Sequence, residues 1–209
     1  AGNMLGAEQS GFIADLGYET YQKILNEAVS ELKNEEFADL YAEEVKADGS
    51  KISGEEFVDE CTVESDLELL FPNEYIPSSS ERMLLYRELD GLELDKDVEA
   101  FRARLLDRFG KLPPETEELL YIVPLRRMAK RLGVEKAVLK QGRMVLFFVS
   151  NLESPYYQSE AFGKIVDYMA RYPRNCNLRE QNGRRSMVVK DVACVETAVK
   201  ILQEIVGMQ

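Results

Sequence analysis

The chain has 209 residues, a formal net charge of -12 and a hydrophobic content of 45%. This hydrophobic content is sufficient for a folded core and excludes a disordered chain. The sequence contains no histidine, which excludes Ser-His and Cys-His nucleophiles and most zinc sites. The negative charge opposes tight binding of nucleic-acid phosphates by the chain as a whole.

The chain begins with a glycine-rich segment that is typical of a functional loop. Its notable residues are Gly2, Gly6, Gln9, Ser10 and Gly11. An intact domain rarely opens on such a loop, and no strand or helix precedes it here. We therefore interpret these residues as the end of a longer motif, and we expect the chain to be a C-terminal fragment of a larger protein.

An amphipathic helix is predicted from about residue 17 to residue 33, because apolar residues recur there at three- and four-residue steps. Residues 1–47 are expected to form one unit that ends before Asp48-Gly49. Glycines, prolines and a run of serines interrupt the following segment. Residues 48–77 are therefore predicted to form an extended strap, in which residues 58–64 could form a short strand.

Three helices are predicted in the next part of the chain. Ser80 and Asp95 are expected to cap the first two helices, and Gly110 is expected to end the second. Pro114 suits the first turn of the third helix. Pro124 lies inside that helix and is expected to kink its axis.

Two hairpin-and-helix units are predicted after the helices. Gln141-Gly142 and Asn182-Gly183 each separate two strand-like segments, which is typical of tight hairpin turns. A helix follows each hairpin, and Ser159 is expected to cap the first of them. Because two hairpins together provide enough strands for one sheet, residues 78–209 are predicted to be an α+β domain. Its four-stranded antiparallel sheet is expected to be covered by helices.

Few motifs in the sequence indicate a catalytic, nucleotide-binding or metal-binding site. The phosphate-binding pattern GxxxxGK[ST] does not occur. Residues 48–57 faintly suggest a calcium loop, but with Ile52 at its usual eighth position, Val45, Ala47 and Gly49 stand where oxygen ligands belong. Cys61, Cys176 and Cys194 form no CxxC pair, which favours a reducing compartment. We therefore expect a cytoplasmic protein without a metal or cofactor, and the apolar runs are too short for a membrane span.

Two other classes of function remain open. The basic clusters at 126–131 and at Arg184-Arg185 could contact phosphate, so a stand-alone nucleic-acid-binding module is one alternative. The many carboxylates before residue 61 leave a carboxylate enzyme as the other. A solvated acidic face explains those carboxylates more simply.

A second signature accompanies the opening segment. It consists of Pro72-x-x-Tyr75-Ile76-Pro77, Arg82, Leu85-Tyr86-Arg87 and Asp107-Arg108-Phe109-Gly110 with Pro113. The opening segment resembles the translocation motif that RecG translocases share with the bacterial transcription-repair coupling factor (Mfd) family. Because the second signature resembles only the Mfd family, we identify the chain as a member of that family. The resemblance covers residues 2 to about 133 in ordered motifs, and the remainder agrees in its hairpin-helix layout.

The resemblance implies that the full protein is an ATP-driven translocase on double-stranded DNA. Such a protein pushes stalled RNA polymerase forward and recruits the repair factor UvrA. Residues 1–47 would then be the tail of a motor domain, and the domain after the strap would be a regulatory module without catalysis of its own. The resemblance implies that this module docks on an N-terminal UvrB-like module and masks the surface that UvrA binds.

The resemblance also implies which residues make the docking contact. Asp107 carries over from the helix that supplies acidic contacts to basic residues of the UvrB-like module. Arg104 stands where relatives often have an acidic residue, which reverses one charge of the pattern. Arg108 is the third candidate, and its alternative role is a cap or an intradomain ion pair with the strap near Pro72.

Overall fold

The structure is a computed structural model that describes residue 54 and residues 57–209. The predicted helix at 17–33 and the division at residue 47 lie outside the described residues. The opening motif does so as well, with Gly2, Gly6, Gln9, Ser10 and Gly11.

A sheet of five strands forms the centre of the described part of the chain. The strands are β1 (Thr62–Ser65), β2 (Val134–Lys140), β3 (Arg143–Phe148), β4 (Cys176–Gln181) and β5 (Arg184–Val189). Their spatial order is β1-β2-β3-β5-β4. β1 runs parallel to β2, and all the other neighbours are antiparallel.

The prediction of a four-stranded antiparallel sheet was therefore wrong. The two predicted hairpins do form and do pair through β3 and β5, but a strand from the strap adds to the free edge of β2. Val63 of β1 is buried. The pairing of β1 with β2 provides hydrogen-bonding partners for backbone amide and carbonyl groups of β2 that would otherwise lie at a free sheet edge. The domain is of mixed α+β type.

Both hairpin turns have the conformation that their sequences predict. Gln141 and Gly142 have φ values of 55° and 70°, and Asn182 and Gly183 have values of 54° and 72°. Two consecutive residues with positive φ match the twist of the flanking strands. These turns fix the register of β2 with β3 and of β4 with β5.

Six α-helices are described besides the sheet. They are α1 (Ser79–Asp90), α2 (Asp95–Phe109), α3 (Pro114–Leu120), α4 (Ile122–Arg131), α5 (Glu160–Arg171) and α6 (Val195–Val206). A 3-10 helix at Pro155–Gln158 precedes α5. The predicted cap at Ser159 is confirmed, since its side chain accepts from Phe162 N.

Two predicted caps lie elsewhere. Ser78 caps α1, because it has the extended backbone that a cap requires, whereas Ser80 is already helical. Leu94 occupies the cap position of α2 without a side-chain hydrogen bond, and Asp95 is the first helical residue. Gly110 ends α2 as predicted and has a φ of 87°.

Pro124 divides a predicted single helix into two. α3 ends at Leu120 and α4 begins at Ile122, with Tyr121 between them. A proline ring collides with the carbonyl four residues earlier in a continuous helix, and that carbonyl belongs to Leu120. The break places Pro124 in the first turn of α4, where an amide hydrogen is not needed.

The core lies between one face of the sheet and the helices. Its fully buried side chains come from both the strands and the helices, among them Met144, Leu146, Phe148, Met187, Leu119, Ile122, Leu125, Val195 and Leu202. The helices thus cover a single face of the sheet.

The strap is attached to the helices by hydrogen bonds as well as by packing. Phe71 N donates to the Tyr86 hydroxyl at 3.0 Å, and the two rings lie 4.7 Å apart. Thr116 Oγ1 donates to Leu70 O at 3.0 Å. The buried guanidinium of Arg82 donates to the carbonyl groups at the end of the strap. Tyr86 therefore packs under the strap.

Candidate interaction surface on the second helix

The three predicted docking residues lie together on α2. Val98, Phe101 and Leu105 are buried on the inner side of this helix. Because a helix turns once every 3.6 residues, Arg104 and Arg108 share the edge nearest α1, and Asp107 falls on the outer side. All three are exposed, so the structure brings the predicted residues to one surface of one helix.

The two arginines of this surface have partners within the domain. Arg104 forms an ion pair with Glu88, and Arg108 forms one with Glu81. Both carboxylates belong to α1, so the pairs connect two neighbouring helices. Arg108 therefore has an intradomain partner, which is a residue of α1 and not of the strap. Exposed pairs of this kind contribute only about 0.2–1 kcal/mol each.

Asp107 differs from its neighbours because it pairs with no cation in the part of the chain that the structure describes. Arg104 and Arg108 are its closest basic residues along the helix, but each is directed to a glutamate of α1. Their charges are balanced locally. The outer surface of α2 consequently presents one carboxylate that is free to meet a cation on another protein surface.

The C-terminal end of α2 is held by the strap. The Tyr75 hydroxyl donates to Gly110 O at 2.8 Å and lies 3.2 Å from Leu105 O. The Tyr75 ring meets the Phe109 ring edge to face at 5.8 Å. These contacts satisfy carbonyl groups that a helix end leaves open. They connect Tyr75 with Phe109 and Gly110, which belong to the same signature.

The sequence reasoning did not assign roles to Tyr75, Glu81 and Glu88. Tyr75 could have been found, because it belongs to the same signature as the end of α2. The two glutamates carried no comparable signal, since their partners lie 27 and 16 residues away on another helix. Pairs across such distances depend on how the two helices pack.

The hydroxyl groups below this surface remain neutral. Burial raises the pKa of Tyr86, while the hydrogen bond from Phe71 and the charge of Arg82 act in the opposite direction. Burial also raises the pKa of Tyr75. Both hydroxyls therefore keep their protons and serve as structural hydrogen-bonding groups.

Among the described residues, no helix combines the length and apolar character needed to cross a membrane. Across the same residues, Cys, Asp and Glu side chains do not gather into groups of three or more that could hold a metal ion.

Comparison with known proteins identifies the family. The TRCF domain family matches residues 65–159, which include α2 and its three charged residues. The transcription-repair-coupling factor of Rickettsia bellii is 30% identical over 182 residues, which are 87% of this chain and 14% of that protein. The chain belongs to the transcription-repair-coupling factor family.

Other members and a solved structure agree with this assignment. The transcription-repair-coupling factor of Escherichia coli is 32% identical over 137 residues, which are 65% of this chain and 11% of that protein. A crystal structure of the C-terminal domain of a transcription-repair coupling factor has a TM-score of 0.57 and 16% identity. The match covers 70% of this chain and 92% of that domain, so the two share a fold. The chain spans about a seventh of the length of its curated relatives.

Proposed function

We propose that this chain is a non-catalytic interaction module of a transcription-repair-coupling factor. It docks on the N-terminal UvrB-like module of the same protein and masks the surface that UvrA binds. Translocation on double-stranded DNA, ATP hydrolysis and the contact with RNA polymerase are activities of the full-length protein under this proposal. The module regulates when the protein recruits repair.

The exposed carboxylate of Asp107 is the observation that supports this proposal most directly. It lies on a helix that α1, α3 and the strap hold in place, within the segment that matches the family. Arg102 joins the other side of α2 to Glu117 of α3. A carboxylate on such a rigid support can meet a fixed basic partner with little loss of conformational entropy.

The charge pattern of α2 is compatible with docking despite Arg104. A basic residue at this position would repel a basic partner surface, but Glu88 of α1 balances its charge. Of the three candidate residues, Asp107 therefore remains the one whose charge is not balanced by an ion pair among the described residues. Charge complementarity of this kind mainly determines the orientation and the rate of docking.

Autoinhibition requires only a weak contact in this arrangement. A module that is tethered to its partner has a high effective concentration, so a modest affinity is sufficient to mask the surface. A conformational change that contributes a few kcal/mol can then release it. A weak and mostly polar contact through α2 meets both requirements.

The proposal is tested by Asp107→Lys in the full-length protein. Reversing this charge weakens docking, so the UvrA-binding surface is free more often. We expect the affinity for UvrA to rise by about 5- to 30-fold, which corresponds to about 1–2 kcal/mol. Surface plasmon resonance with immobilised UvrA measures this change.

Asp167→Lys is the matched control, because Asp167 is an exposed aspartate on α5. It makes the same change of charge on another helix and should leave the affinity for UvrA unchanged. Thermal unfolding of both variants verifies that they are folded. An unchanged UvrA affinity in folded Asp107→Lys protein would refute docking through α2.

A further inference from the structure

The second face of the sheet carries a surface that the docking proposal does not use. Side chains alternate between the two faces of a strand, and the helices cover the face that includes Met144, Leu146 and Met187. The opposite face, here called the outer face, is formed in its centre by Lys136, Val138, Val145, Phe147, Ser186 and Val188.

The outer face is basic although the chain is acidic. Five cations are directed to it by strand alternation, and they are Lys136, Lys140, Arg143, Arg179 and Arg184. Two carboxylates oppose them. Glu64 lies 2.9 Å from Lys136, and Glu135 lies 3.2 Å from Arg184. The face thus has an excess of positive charge in a chain whose net charge is -12.

Two of these cations are free to meet a ligand. Arg143 and Arg179 are exposed, and neither pairs with a carboxylate among the described residues. Arg143 begins the middle strand β3, and Arg179 belongs to the edge strand β4. A ligand that runs across the outer face from the start of β3 to β4 would therefore meet both of these positive charges.

An aromatic ring lies between cations at the centre of this face. The guanidinium carbon of Arg184 is 4.8 Å from the centroid of the Phe147 ring, and Lys136 Nζ is 5.8 Å from it. The strand register places Lys136, Phe147, Ser186 and Arg179 in one row across four strands. With a strand spacing of about 4.8 Å, this row is roughly 14 Å long.

The composition of the outer face favours a nucleic acid over a protein as its occupant. The cores of protein interfaces are depleted in lysine and present exposed apolar groups. Here Val188 is only 5% exposed, and Val138 and Val145 are partly buried, so the centre offers only a limited apolar surface to bury. A partly exposed ring with cations around it instead suits bases that stack and phosphates that need neutralisation.

We propose that the outer face of the sheet binds single-stranded nucleic acid. A base stacks at Phe147, and the backbone follows the cations along the row. Because the rest of the chain is acidic, binding is weak and depends strongly on salt. This site lies on the sheet and is independent of docking through α2.

Fluorescence anisotropy with a labelled oligo-dT of about 20 nucleotides tests the proposal on the whole 209-residue chain. We expect binding at low salt that weakens as salt rises, with a log-log slope of about -2 to -3 for three or four phosphates. An unlabelled duplex of the same length should compete poorly, because its bases cannot stack on the ring.

Arg184→Gln and Arg185→Gln form a matched pair of variants. Arg185 is the next residue of β5 and is directed to the other face, where it lies 4.5 Å from the Tyr157 ring and 3.5 Å from Glu180. Arg184→Gln removes the cation beside the Phe147 ring and should weaken oligo-dT binding about fivefold, whereas Arg185→Gln should leave it unchanged. Phe147→Leu keeps an apolar side chain but removes stacking, and it should weaken binding about tenfold.

Circular dichroism of each variant shows that the fold is retained. Four results would each overturn the proposal: no anisotropy change for the unmodified chain at low salt, equal effects of Arg184→Gln and Arg185→Gln, unchanged binding in Phe147→Leu, or equally strong competition by duplex DNA. Displacement of oligo-dT by polyglutamate of equal charge would also overturn it, since the face would then be a general site for acidic proteins.

Discussion

At the scale of single residues, burial in the core keeps the thiol of Cys61 protonated. It is buried next to β1, and burial raises the pKa of its thiol to about 12. The charges of Arg126 and Lys130 and a hydrogen bond with the backbone of Ala137 act in the opposite direction, but burial outweighs them. The thiol is therefore neutral and unreactive in the folded protein.

This pKa predicts how stability depends on alkaline pH. Above the usual thiol value of 9.0, the unfolded chain loses the proton of Cys61 while the folded chain keeps it. The free energy of unfolding should therefore fall as pH rises, by up to about 1.4 kcal/mol per pH unit from this residue. The contribution of the protonated Cys61 thiol to stability is fully present below the pKa of the unfolded chain. It is lost as pH rises towards the pKa of the folded chain.

Urea unfolding at several pH values between about 8 and 10.5 measures this slope. Cys61→Ala should have a shallower slope than the unmodified chain, because the titrating group is absent. Cys194→Ala replaces a half-buried cysteine and should keep the full slope. Equal slopes in all three proteins would contradict the assignment of the effect to Cys61.

The residues of the candidate surface were only partly accessible to sequence reasoning. Arg104, Asp107 and Arg108 were found, because a signature and a helical period are local features of the chain. The sequence did not show that Arg104 and Arg108 form ion pairs whereas Asp107 forms none among the described residues. Both pairs depend on the packing of α1 against α2. The cationic row on the sheet also required the register of four strands.

At the scale of elements, α6 depends on a residue of α3. Cys194 occupies the cap position of α6 but makes no capping hydrogen bond. The Glu118 carboxylate instead accepts from Val195 N at 3.0 Å and from Glu196 N at 3.1 Å. A negative charge at a helix N-terminus also interacts favourably with the helix dipole. This contact fixes the last helix to the helical layer.

Glu118→Ala should destabilise the protein by about 1–3 kcal/mol, because two amide groups lose a charged acceptor. Urea unfolding measures the loss, and faster hydrogen exchange at the amides of Val195 and Glu196 locates it. Glu115→Ala changes another glutamate of α3 and should cost less than about 0.5 kcal/mol. Equal costs for the two variants would show that the cap contributes nothing specific.

The elements that were predicted well have local causes. Asn182-Gly183 and Gln141-Gly142 determine their hairpins through positive φ, and Gly110 ends α2 in the same way. The elements that were predicted poorly depend on distant partners. The short strand expected at residues 58–64 is present at Thr62–Ser65, but it joins the sheet because β2 offers an edge, and nothing near residue 62 indicates that edge.

At the scale of the whole molecule, the strap belongs to the folded core. Phe71 and Ile76 are almost completely buried, and Val63 fills the sheet edge at 5% exposure. Arg82 and Thr116 hold the strap by hydrogen bonds to its carbonyl groups. The predicted boundary between residues 77 and 78 separates segments that share this core.

A fragment of residues 78–209 should therefore be much less stable than one of residues 54–209. The side chains that it lacks include the buried Val63, Phe71 and Ile76, each contributing about 1.5–3 kcal/mol, so the loss should be at least about 4 kcal/mol. Urea unfolding followed by circular dichroism compares the two fragments, which both lack the residues before 54. Equal urea midpoints would show that residues 78–209 form an independent domain and that the strap does not stabilise it.

The parallel pairing of β1 with β2 has a consequence for biosynthesis. Thr62 pairs with Lys136, so the ribosome must produce α1, α2, α3 and α4 before the strand finds its neighbour. During that interval the nascent strand offers unpaired amide and carbonyl groups to any other chain nearby. Ribosomes that pause between these two segments would hold a chain open to chaperones and proteases, and synonymous codons in this stretch would alter the yield of folded protein.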